Sequence, residues 1–232
     1  MNLIRSFLDN DSVFGKLMTR CGILIGANMM FILFCIPVVT IGTSCSALYY
    51  TMMKTLRGED ELNPFATFWK SFRENWKQTV PIWMALLILA VFLRLELFWC
   101  SQFTGLIAMF RYGIMAILVL ELILAIYIFP VIAAFEANWK QQIINAIYFA
   151  FGNPLHLLQI VFFHVAPVIL TYVFFQYLPL FAFIWTVVGF SSIAMFSSSL
   201  MLKQFTPFLP ADEICSHKDF HGDEVFYDDA FL

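Results

Sequence analysis

From Cys21 to Met53, and again from Leu157 to Leu202, the chain carries no Asp, Glu, Lys or Arg. A helix crossing a bilayer core about 30 Å thick needs roughly 20 mostly apolar residues. Each stretch is long enough for two short crossings around a break. The break residues are Pro37 and Gly42 in the first, and Pro179 after Gln176 and Tyr177 in the second. Two more apolar runs lie between them, one interrupted by Arg94 and Glu96, the other by Glu121. The pattern predicts six membrane segments, about 17–37, 38–56, 79–100, 112–133, 155–176 and 179–202. The expected fold is all-α: one polytopic transmembrane helical bundle over 1–203, followed by an acidic cytoplasmic tail over 204–232. The uncharged part of the first pair is 33 residues, short for two full crossings. Residues 17–56 are therefore either two spans or a re-entrant hairpin.

Residues 63–78 follow a different pattern. Asn63 suits a helix cap and Pro64 a first turn. Phe65, Phe68, Trp69, Phe72 and Trp76 then recur on one helical face, with Lys70, Arg73 and Lys77 towards the other. This is the pattern of an amphipathic helix lying in the headgroup layer, where anionic lipid attracts the cations. Trp69, Lys70, Arg73, Trp76 and Lys77 are its expected membrane-interface anchors. The end of this segment is repeated. Phe72-Arg-Glu-Asn75-Trp76-Lys77-Gln78 and Phe135-Glu-Ala-Asn138-Trp139-Lys140-Gln141 agree at five of seven positions, which adds Trp139 and Lys140 to the anchors. Duplication of a half-unit, as in many transporters, and convergence on a good interfacial anchor both account for seven residues.

Charge fixes an expected orientation. With both termini inside, the inner side holds eleven basic residues: Arg5, Lys16, Arg20, Lys54, Arg57, Lys70, Arg73, Lys77, Lys140, Lys203 and Lys218. The outer side holds Arg94 and Arg111. Basic excess marks the cytoplasmic face, so both termini are expected there, in a plasma (inner) membrane. Only 12% of the 232 residues are charged, against about one quarter in soluble domains, and 61% are hydrophobic. The tail carries Asp212, Glu213, Asp219, Asp223, Glu224, Asp228 and Asp229 against Lys218, and no basic nucleic-acid face is present. The first 16 residues include Asp9 and Asp11 and lack a small-residue cleavage site, so the first helix is expected to act as an uncleaved anchor. The five cysteines (Cys21, Cys35, Cys45, Cys100 and Cys215) suggest no disulfide framework.

Phe34-Cys-Ile-Pro37-Val-Val-Thr40-Ile-Gly42-Thr-Ser44, then Ala47-Leu-Tyr49-Tyr50, then Phe68 and Ser71-Phe72-Arg-Glu-Asn75-Trp76-Lys77-Gln78, resemble the YesL-like family of bacterial membrane proteins. The likeness covers mainly residues 8 to 80, with weaker agreement through the second Asn-Trp-Lys-Gln copy. It implies a bacterial protein with no settled activity, encoded near carbohydrate-uptake and carbohydrate-degradation genes. It carries over no functional residue.

The residues themselves offer few sites for chemistry. Glu121 lies about ten residues inside the fourth segment, roughly 15 Å deep. An ionised carboxylate there costs about 2.5–3.5 kcal/mol, so it should face the bundle interior, paired or protonated. His164 lies at similar depth in the fifth segment, so the two form a candidate intramembrane polar site and proton relay. The bland alternative is a protonated Glu121 tying two helices together. Arg94, Glu96 and Arg111 cluster towards the outer face. Gly22 and Gly26, and Gly189, Ser192, Ser198 and Ser199, read as close-packing faces, with a homodimer seam through Gly22 and Gly26 as the sharper idea. His217 and His221 are spaced for a metal on a helix, but Gly222 and the local negative charge favour a solvated tail. No nucleophile elbow, phosphate-binding glycine loop or zinc-protease motif appears. The expectation is a non-enzymatic membrane protein without cofactor or metal. Its expected partners are the lipid bilayer and a carbohydrate transporter subunit, with homo-oligomerisation left open. The alternative is a small transporter or channel using Glu121 and His164.

Overall fold

The computed structural model describes residues 13–58, 62–103 and 106–208, and among them there are helices and no strands. In chain order these are α1 (Val13–Cys35), α2 (Ile41–Leu56), α3 (Pro64–Ser101), α4 (Leu106–Ala134), α5 (Trp139–Gly152), α6 (Pro154–Val173), α7 (Leu178–Ile184) and α8 (Phe190–Phe205). A single-turn π-helix, Trp185–Gly189, joins α7 to α8. Five helical stretches are long and apolar enough to cross a membrane: Phe14–Cys35, Pro64–Ser101, Met109–Ala134, Pro154–Val173 and Phe175–Phe208. The acidic tail, with Cys215, His217 and His221, falls outside the described residues.

The expected second segment, 38–56, is not among the five. It forms the 16-residue α2, about 24 Å long, with eleven of its residues buried. Its sequence explains the difference. Thr43, Ser44, Ser46, Thr51 and Thr55 are buried, so α2 is a polar-studded core helix rather than a lipid-facing one. Most of these hydroxyls are satisfied locally: Ser44 donates to Thr40 O, Thr51 to Ala47 O and Thr55 to Thr51 O, each at 2.9 Å. The Thr43 and Thr79 hydroxyls pair at 2.7 Å, tying α2 to α3.

The Pro-Val-Val-Thr-Ile-Gly run builds the joint between α1 and α2. Thr40 Oγ1 lies 2.7 Å from Phe34 O and 2.8 Å from Pro37 O, closing the turn. Trp83 Nε1 donates to Val38 O at 2.7 Å. Gly42 is required by close approach, because a Cβ there would stand 2.6 Å from Trp83 Cβ and 2.8 Å from Phe129 Cε1.

Residues 63–78 differ from expectation in a second way. Asn63 does cap the helix, accepting from Phe65 N at 3.1 Å and Ala66 N at 3.3 Å. The helix then continues without a break to Ser101, 38 residues and about 57 Å, so the segment is the first half of α3 and not a separate surface helix. Its aromatic face is shared between solvent or lipid and the protein. Phe68 is buried, and Phe34 of α1 packs on Phe68, Trp69 and Phe72 with ring centroids 5.9, 5.5 and 4.8 Å apart. The contacts of Phe34, Val38 and Thr43 set the α1–α2 turn beside residues 68–83, where the charged half of α3 gives way to its apolar half.

The core joins every layer, through Phe31 of α1, Met52 of α2, Phe68 of α3, Tyr127 of α4, Ile160 of α6 and Met201 of α8. Asn28 of α1 is fully buried and anchors the π turn. Its Nδ2 lies 3.0 Å from Trp185 O and 2.6 Å from Thr186 O, and its Oδ1 accepts from Ser191 N at 3.0 Å. Asn28 thereby holds two carbonyls and one amide where the π turn gives way to α8. Gly189 closes the same turn, where a Cβ would meet Trp185 Cε3 at 2.8 Å. Gly26 is covered by Pro64, whose Cγ would lie 2.9 Å from an added Cβ, while Gly22 has open space. The Gly22–Gly26 pair is thus not a continuous seam for a second copy, because α3 already occupies half of it.

Candidate functional site

α3 and α4 run antiparallel with α5 folded back against them. The two copies of the Asn-Trp-Lys-Gln repeat meet where these three helices converge. Gln78 Nε2 of the first copy donates to Ala137 O, just before the second, at 2.8 Å. Lys77 and Gln78 from one copy, and Asn138 and Trp139 from the other, line the same cavity of about 630 Å³. Its body is apolar, walled by Pro81, Ile82 and Leu86 of α3, Leu124 and Ile128 of α4 and Ile143 of α5. Lys77 is the one charged side chain among the described residues that line it. Local sequence explains the construction: Phe135 ends the α4 segment by stacking on Phe149 at 5.6 Å, and buried Gln142 donates to Phe135 O. These two contacts fold α5 back so that its N-terminus faces α3.

A second cavity of about 290 Å³ adjoins the first and shares Leu86, Leu89 and Leu124 with it. Glu121 lies here, 9% exposed, among Ile117, Leu120, Ala146, Ala150 and Phe151. Its Oε1 has no hydrogen-bond partner among the described residues. A third cavity, about 780 Å³ and polar, lies across Gln78 and Ala137 from the first. It holds Lys54, Arg57 and Lys70 together with Glu74 and Glu136, so its cations are largely balanced.

His164 is elsewhere. It belongs to the α2–α6–α8 interface, with Tyr49 OH 2.9 Å from Nε2 and Ile160 O 2.8 Å from Nδ1. A carbonyl only accepts, so Nδ1 carries the proton and Nε2 accepts from the phenol. Both ring nitrogens are satisfied with the imidazole neutral. None of the residues lining the Glu121 cavity is His164 or Tyr49. The two residues that depth alone would pair are therefore held in different parts of the bundle. His156, near the start of α6, bonds Gln204 of α8 at 2.9 Å.

The anchors fall into two sets. Lys77 and Trp139 line the 630 Å³ cavity, and Lys140 Nζ lies over the Trp139 ring at 5.3 Å. Trp69, Lys70 and Arg73 border a shallow hollow with Glu74 on the exposed side of α3, and Trp76 is exposed beside them. Trp69 also stacks on Phe72 at 5.8 Å, so it is partly a packing residue. Arg94 and Glu96 are exposed near the end of α3, and Arg111 donates to Tyr112 OH at 2.9 Å. Among the described residues, no group of three or more His, Cys, Asp or Glu is placed to hold a metal ion. Sequence reasoning missed Asn28, Tyr49 and Gln142. Each is a polar residue in an apolar run, which is a signal of buried bonding, but the partner depends on helix azimuth.

Residues 24–97 match the model of a family described as "Protein of unknown function, DUF624". The match spans α1 from Leu24, α2 and most of α3, the region that carries the Pro-Val-Val-Thr-Ile-Gly joint and the first repeat copy. It is consistent with the YesL-like resemblance and names no activity. No curated protein and no solved structure matches the chain.

Proposed function

We propose that the protein is a non-enzymatic accessory or regulatory subunit in a bacterial plasma membrane. It works by docking on a carbohydrate-uptake system, with the basic ends of its helices and both termini on the cytoplasmic side. The observation that carries this reading is the separation of Glu121 from His164. The one pair of intramembrane polar groups that sequence depth offered for a proton relay is split between two environments, and the His164 ring is satisfied by Tyr49 and Ile160 O. Of the buried α2 hydroxyls, those of Ser44, Thr51 and Thr55 bond to backbone carbonyls of residues 40–51 and that of Thr43 pairs with Thr79, which suits a packed interior better than a conduit. The link to carbohydrate uptake rests on the family resemblance alone. Affinity purification from native membranes in a mild detergent is expected to recover a sugar-transporter subunit. Repeated recovery of the protein alone would count against the accessory role.

A second reading, a small transporter, is favoured by one observation: Glu121 Oε1 is buried and unpaired among the described residues. Under that reading Glu121→Gln abolishes pH-dependent flux in proteoliposomes. Under ours the variant and the parent are alike.

A further inference from the structure

The groove between α3, α4 and α5 combines an apolar body with a single cationic rim. We propose that it binds one acyl chain of an anionic phospholipid, whose phosphate is held at Lys77, Asn138 and the first turn of α5. Its 630 Å³ is within the 300–1,000 Å³ usual for small-ligand sites. The walls from Pro81 to Leu89, with Leu124, Ile128 and Ile143 opposite, offer a chain only hydrocarbon contact.

The rim selects the headgroup. Lys77 brings the one charge among the described lining residues. Asn138 makes no side-chain capping bond, so the first amide groups of the 14-residue α5 keep their donors for an oxygen ligand. Gln78 Nε2 donates one hydrogen to Ala137 O, and that bond ties α3 to the α4–α5 connection. Trp139 is 57% exposed beside the rim, the position of an indole at headgroup level. The two repeat copies thus have different tasks at one site: the first supplies the cation and the strut, the second the cap and the indole. A zwitterionic lipid fits the same body but brings its own cation towards Lys77. Across Gln78, the polar cavity sets Lys54, Arg57 and Lys70 beside the carboxylates of Glu74 and Glu136, which compete for its cations, whereas no carboxylate is among the described residues lining the groove. The site is independent of the accessory role.

The test uses the full chain, delipidated and reconstituted into nanodiscs containing equal amounts of phosphatidylglycerol and phosphatidylcholine, with retained lipid counted by native mass spectrometry. The parent is expected to keep one phosphatidylglycerol over phosphatidylcholine by about fivefold, the effect of one lysine near an anionic lipid. Lys77→Gln should bring the two lipids to parity, while Lys16→Gln, on exposed α1, keeps the preference. Ala85→Phe, or Leu89→Trp should the first fail to elute as a folded species, fills the groove and should remove retention of both lipids. Equal retention of both lipids by the parent, or a preference that survives Lys77→Gln, overturns the headgroup assignment. Undiminished retention in a folded groove-filled variant overturns the site.

Discussion

Replacing Asn28 by Leu removes the strut between α1 and the π turn while keeping a side chain of similar reach. Three contacts are lost: those of Nδ2 with Trp185 O and Thr186 O, and the bond from Ser191 N to Oδ1. Interhelical hydrogen bonds in membranes average about 0.6 kcal/mol and reach about 1.7, which brackets the loss between about 2 and 5 kcal/mol. The site belongs towards the middle of that range. The Ser191 amide would lose its Oδ1 acceptor in a buried site, and buried, unsatisfied polar groups cost about 1–3 kcal/mol each. We expect about 3 kcal/mol, more than a hundredfold in the folded-to-unfolded ratio. Denaturant titration in mixed micelles gives the free energy, and hydrogen exchange at the Ser191 amide reports the local bond. A cost below about 0.5 kcal/mol with unchanged Ser191 protection would refute the reasoning, because the turn would then be stable without Asn28.

Other consequences follow from particular contacts. Gly42→Ala should cost about 1–3 kcal/mol by the same titration, since Trp83 Cβ, 2.6 Å from the added methyl, is too near its backbone to swing aside. Tyr49→Phe should cost about 1 kcal/mol and leave His164 Nε2 unpaired, visible as a changed imidazole nitrogen shift by NMR. Gly26→Leu should destabilise the bundle through Pro64 whereas Gly22→Leu is neutral within about 0.5 kcal/mol, and neither should change the mass of the particle by light scattering. Reporter tags on the two termini should read the same side of the membrane, because α1–α2 as a re-entrant hairpin or as a double crossing leaves an even number of crossings together with α3, α4, α6 and α7–α8; opposite sides would mean that α1 crosses alone.

The helices were legible because uncharged length is a strong signal, and Pro37 and Pro179 do mark the breaks. Pro37 precedes the turn into α2, and Pro179 opens α7. The Asn63 cap was legible for the same reason, since its spacing to Pro64 and Phe65 is local. The depth of a segment was less so. Residues 38–56 are as uncharged as a span, yet their buried Thr and Ser make α2 a core helix, and only contacts with Thr79 and Trp83 reveal it. Pairing across helices was not legible at all. Glu121 and His164 match in depth but face different neighbours, because residue number fixes height along a helix and leaves rotation free. The repeat was visible as five matches in seven positions; that its copies meet at one rim depends on the Gln78–Ala137 bond, which no local pattern encodes.

An accessory role requires that water not reach Glu121 and His164. Single cysteines replacing Leu120, Leu122, Phe163 and Val165, in a background lacking Cys21, Cys35, Cys45, Cys100 and Cys215, can be probed with a membrane-impermeant thiol reagent from each side. Gln102→Cys, at the exposed end of α3, serves as the reactive control. We predict labelling at Gln102→Cys and silence at the four positions flanking Glu121 and His164, the mark of a dry bundle that acts through its partners. Labelling beside Glu121 or His164 would mean an aqueous path to the bundle interior, and the accessory reading would give way to transport.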